Sequence, residues 1–196
     1  MKTISSIWLR ARRSLRHLAR DNSGIAATEF AVIVPLMLVL YFGTVEFSSG
    51  IAVDRKVTVM ARTLSDLTSQ STSVGDTDMA NFFAASAGIM TPYPATPTRA
   101  TISELYIDPA TLVARVQWSK AYQGATARGV GTPVVIPAAL KVAGTYLIFS
   151  EVSYLYVPTI GYVMAKTGVN LSDVSYTRPR QSTCVYYNPA IACTTL

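Results

Sequence analysis

Few residues in this sequence combine a reactive side chain with a suggestive setting. Its one histidine, His17, lies among basic residues near the start, and its two cysteines, Cys184 and Cys193, enclose VYYNPAIA near the other end. Two thiols and scattered carboxylates make a poor zinc set, and the cysteine spacing excludes a CxxC redox motif. Asp76-Thr-Asp78 lacks the further acids and the glycine of a calcium loop and suits a helix N-terminus better. Gly129-Val-Gly131 lacks the Gly-Lys-Ser/Thr ending of a phosphate loop. The residue that stands apart is Glu29, an acid at the edge of a long apolar run. A carboxylate in a membrane helix is costly to bury and usually marks a function or a partner charge.

That run, Ile25 to Phe47, reads IAATEFAVIVPLMLVLYFGTVEF. As a helix it extends about 34 Å at ~1.5 Å per residue, enough for a hydrocarbon core of about 30 Å. The uncharged part, Phe30 to Val45, is short for a span, so Ile25 to Thr28 belong with it and bring Glu29 along. Pro35 is tolerable in a membrane helix and predicts a mild kink. The chain is 50% hydrophobic and only 14% charged, so part of its apolar surface is expected to face lipid or partner subunits.

Charge is as unevenly placed as hydropathy. Lys2, Arg10, Arg12, Arg13, Arg16 and Arg20 precede the run with Asp21 as the only acid, giving residues 1–24 a charge of +5 out of the chain's +6. One basic block beside a membrane span signals retention at the cytoplasmic face, not nucleic-acid binding.

Beyond the span, over 48–68, Val53, Val57, Met60, Leu64 and Leu67 recur at steps of four and three while Asp54, Arg55, Arg62 and Asp66 take other faces, which predicts an amphipathic continuation of the helix. Residues 69–196 read as an extracytoplasmic α+β domain. TSQSTSVG is a polar loop, and Asp76 or Thr77 is placed to cap a short helix carrying Met79, Phe82, Phe83 and Ile89. TPYPATPT reads as an extended connector. Thr101 to Ile107 and Leu112 to Trp118 flank Asp108-Pro109-Ala110-Thr111 as a hairpin, and Ser119 to Pro133 reads as a surface loop. Thr145 to Val157 carries the strongest strand signal, its first half apolar on both faces as in a central strand. A short helix at 160–166 and a strand at 174–177 complete an α+β fold: a long transmembrane and amphipathic helix followed by a small antiparallel sheet domain.

A secretory leader places its cleavage site after the apolar core. Here the small residue, Gly24, precedes the run, and Glu29 and Phe30 are the fifth and sixth residues after it. RDNSGIAATEF thus resembles the prepilin peptidase site of type IV pilin-like proteins, where the cut follows glycine and the apolar helix stays on the mature chain. GIAATEFAVIVP, RKVTVMARTLSDLTS (Arg55 to Ser69), EVSYLYVP (Glu151 to Pro158) and YTRPR (Tyr176 to Arg180) together resemble the TadE-like minor pseudopilins of tight-adherence (Flp) pilus systems. The resemblance implies a non-enzymatic, single-pass inner-membrane subunit with a periplasmic domain. Its implied partners are prepilin peptidase, other pilins and pseudopilins and the inner-membrane assembly platform, and its implied role lies in piliation, attachment and biofilm formation. No cofactor and no small-molecule substrate are expected.

Cleavage after Gly24 would remove His17, leaving no imidazole for Ser-His or Cys-His catalysis. It would also free an ammonium on Ile25, four residues from Glu29 and able to meet the Glu29 of a neighbouring subunit. Such a pair acts more as a register device than as net stabilisation, because both charges lose water. The competing reading is an uncleaved signal anchor carrying a periplasmic binding module, with Glu29 solvated or paired with Arg20. In an oxidising periplasm Cys184 and Cys193 can close a disulfide, the alternatives being two free thiols or a bridge to another chain.

Overall fold

The computed structural model describes residues 23–158, 167–190 and 192–193. The basic leader, His17 and the short helix expected at 160–166 lie outside the described residues. Helix α1 runs without a break from Ser23 to Ser69, with Pro35 inside it. The chain divides between Val45 and Glu46 into two compact units.

In the first unit α1 shows apolar side chains to the surroundings on every face, Ile33, Leu36, Met37, Val39, Leu40 and Tyr41 among them. The stretch is long and apolar enough to cross a membrane. Its hydroxyls are satisfied within the helix: Thr28 Oγ1 donates to the Ile25 carbonyl and Thr44 Oγ1 to that of Leu40, both at 2.8 Å. Bonding of this kind lets polar side chains sit in an apolar setting without an orphaned group.

The second unit is α+β. Past Glu46, α1 buries Val53, Val57, Met60 and Leu64 completely, the stripe expected from the step of four and three, with Leu67 only partly covered. A five-stranded antiparallel sheet has the order β4-β3-β2-β5-β6, with β2 Thr98–Ile107, β3 Ala114–Tyr122, β4 Pro133–Val134, β5 Tyr146–Tyr156 and β6 Val169–Thr177. Its α1 face contributes Ala100, Ile102, Ile148, Val152 and Tyr154 to the main core, joined by Met79 and Phe83 of α2, Asp76–Ala87. Ser150 Oγ donates to the Ala61 carbonyl at 2.6 Å, a buried tie between helix and sheet. On the opposite face Leu105, Val116, Leu147 and Phe149 form a second cluster with Val134 and Ile136, so the 123–142 region supplies a covering layer of its own.

Several boundaries differ from the sequence reading. β2 starts at Thr98, and the TPYPATPT stretch before it makes turns, with a cis Thr91-Pro92 bond, in place of an extended connector. β3 starts at Ala114 and runs on to Tyr122, because Asp108 Oδ1 accepts from the N–H of Ala110 (2.7 Å) and Thr111 (2.9 Å) and Leu112 takes a positive φ of 55°, which keeps 112 in the turn. The cap of α2 is Gly75, whose N–H donates to Asp78 Oδ2 at 2.8 Å; Asp76 and Thr77 are inside the helix. β6 covers 169–177, longer than the four residues expected, since its alternating pattern is half-exposed and weakly apolar. A parallel pair, β1 Ser73–Val74 with β7 Tyr186–Tyr187, had no signal at all in the sequence.

Candidate functional site

Gly24, Ile25, Glu29 and Phe30 all lie in the first turns of α1 and are exposed. Ile25 and Glu29 are one turn apart on a continuous helix, the spacing at which side chains share a face. Gly24 has no structural reason to be glycine, since a Cβ there would meet nothing within 4 Å. In a helix, glycine costs about 1 kcal/mol relative to alanine. A residue that the fold does not need, at a small energetic cost, directs attention to an external reader of the sequence.

The cysteines meet at the other end. Cys184 and Cys193 are brought within bonding distance, with Cα atoms 5.8 Å apart, inside the range a disulfide requires. The loop they close is held by two residues that sequence reasoning missed. Glu104 on β2, 2% exposed, accepts from the Val185 N–H at 2.6 Å. Trp118 on β3 donates its indole N–H to the Val185 carbonyl, also at 2.6 Å. Burial pushes the Glu104 carboxyl up to about 8 against the opposing pull of the Val185 N–H. From there β7 pairs with β1, and Tyr187 reaches Asp76, which Lys120 also holds at 2.9 Å.

The 123–142 layer is clamped too. Arg128 donates through Nε (2.7 Å) and its terminal nitrogen (2.6 Å) to both oxygens of Glu151, while its backbone N–H donates to Ser119 Oγ at 3.0 Å. The cleft beside it is lined by this bidentate pair together with Arg99, Thr101, Ser153, Ser172 and Asp173. On the helix side, Arg180 of the YTRPR block pairs with Asp66, its N–H donates to the Ser69 carbonyl at 2.8 Å, and Ser65 Oγ lies 2.9 Å from Ser175 Oγ. Lys56 donates to the carbonyls of Ile89 (2.9 Å) and Thr91 (2.8 Å). These contacts fasten the domain to the second half of α1. Among the described residues, no three His, Cys, Asp or Glu side chains gather as a metal would need.

Fold and site together define a class: an α+β domain on a long N-terminal helix whose first part is suited to a membrane. Residues 24–64 match the family model of TadE-like protein. The resemblance read from the sequence is thereby borne out over the α1 segment that begins at Gly24. The EVSYLYVP and YTRPR blocks lie outside the matched residues. No curated protein and no solved structure matches the chain.

Proposed function

We propose that this chain is a pilin-like minor pseudopilin of a tight-adherence type IV pilus, processed by prepilin peptidase after Gly24. It would stand in the inner membrane on a single pass, N-terminus cytoplasmic and domain periplasmic, and serve pilus biogenesis, attachment and biofilm formation through contacts with other pilins and the assembly platform. The role is structural, not catalytic. The observation that carries the reading is the TadE-like match that starts at Gly24, a glycine with open space around it. Exposed apolar faces on the helix that follows support it, as a surface to be covered by lipid and by neighbouring helices.

The test is N-terminal sequencing of protein from membranes of the native host. The mature chain is expected to begin at Ile25, and Gly24→Leu to stay unprocessed. Retention of Met1 in the presence of the host's peptidase would instead favour the uncleaved anchor.

A further inference from the structure

The end of the sheet where β5 finishes and β6 begins carries apolar side chains on both faces. On one face Leu155 and Val157 are 45% and 56% exposed. On the other, Phe47, Ile51, Tyr156, Val169 and Leu171 line a groove beside α1, together with Asp54. The rim is held in shape: Gly168, at φ +83°, admits the chain to β6 so closely that a Cβ there would lie 2.9 Å from the Tyr156 carbonyl and 3.1 Å from the side chains of both Leu155 and Val157.

Position distinguishes this rim more than composition does. Phe47 closes the apolar run of α1, and the Tyr156 hydroxyl donates to the carbonyl of its neighbour Glu46 at 3.4 Å. The end of β5 is therefore level with the point where the apolar run stops. The headgroup layer adds roughly 5 to 7 Å to each side of the hydrocarbon core. Ile51 stands about 6 Å along the helix from Phe47, inside that layer, whereas the charged pair Asp54 and Arg55 begins at about 10 Å, outside it.

We propose that this rim, Leu155 and Val157 together with Phe47 and Ile51, beds in the headgroup layer of the membrane that the apolar run crosses. The inference rests on the reading of α1 as a membrane span. Its occupant is a lipid surface because Phe47, the residue that closes the apolar run in the sequence, itself lines the groove.

Site-directed nitroxide labelling of the full chain in lipid vesicles, with the native cysteines left unreduced, tests it. Four single variants are compared: Leu155→Cys and Val157→Cys on the rim, Leu40→Cys in the span, and Val135→Cys. Val135 is 93% exposed and equally apolar, and it follows β4, which pairs with the Ala114 end of β3. That end of the sheet is separated from the rim by the length of an eleven-residue strand, about 36 Å at ~3.3 Å per residue. The expected result is an oxygen-to-nickel-chelate collision ratio at 155 and 157 several-fold above that at 135 and approaching that at 40. If 155 and 157 read as aqueous as 135 while 40 reads as lipid, the rim proposal is overturned and the span reading survives. Labels at 155 and 157 shielded from both quenchers would mean a second protein copy covers the rim, which also overturns it. An aqueous reading at 40 overturns the span and the rim together.

Discussion

Helix α1 is one element under two regimes. Up to Val45 its large apolar side chains are exposed on every face; from Glu46 onward apolar residues recur at steps of four and three and the stripe is buried against the sheet. Backbone geometry does not separate the halves. Composition does, with Glu29 the sole charged residue of 23–45 against Glu46, Asp54, Arg55, Lys56, Arg62 and Asp66 in 46–69, and so does periodicity, because a helix with one partner concentrates its apolar residues on one side, while a helix surrounded by lipid or by like helices has no reason to. The first half is thus built for what surrounds it, and the second for its own domain.

The sharpest way to break this comparison is to show that the two halves fail in the same manner. Glu29→Ala is expected to leave insertion and processing largely intact, and Glu29→Gln to behave alike, while both abolish or strongly reduce surface pili. Complementing a deletion strain and measuring protein level, N-terminus, pili and attachment together checks this. Normal piliation at native protein level would show that the charge has no part in assembly. Next in size is Leu64→Ala, which should cost about 2 to 5 kcal/mol of domain stability as a buried truncation. Leu40→Ala should change domain stability by less than about 0.5 kcal/mol. Denaturant melts in detergent micelles, followed by Trp118 fluorescence, measure both.

Two smaller effects sharpen the picture within the domain. If Cys184 and Cys193 are bonded in exported protein, Cys193→Ser should lower stability by about 2 to 3 kcal/mol, the value for so short a loop. Mass spectrometry of unreduced peptides reports the bond directly. Glu104 should impose a pH dependence of definite sign. Burial pushes its folded carboxyl up to about 8 from an ordinary value of 4.5, so between those values the folded state holds a proton that the unfolded chain releases. Stability should therefore fall as pH rises from about 4.5 to 8, by at most about 1.4 kcal/mol per pH unit. Glu104→Gln should flatten that slope.

Legibility followed the range of the interactions. The span, the amphipathic stripe and β5 were readable because their signals are local and periodic. The Gly75 cap was not, since a glycine offers no capping side chain and Asp78 does the bonding from inside the helix. Neither β1 nor β7 could be read, as each is two residues long and exists only through pairing across most of the domain. Glu104 looks like an ordinary strand acid until Val185 and Trp118 are placed around it. The TadE-like resemblance over 24–64 was legible for a different reason: Gly24, Glu29 and Phe30 form a short linear pattern, which requires no tertiary structure to be recognised.

The parallel pairing of β1 with β7 also sets a timetable. Tyr187 meets Asp76 across 111 residues of chain. At a synthesis rate of about 5 to 20 residues per second, that separation takes on the order of ten seconds to emerge. The five-stranded sheet that covers the stripe of Val53, Val57, Met60 and Leu64 is completed nearly as late, with β6 at Thr177. The nascent chain crosses this interval with that stripe uncovered by its own domain.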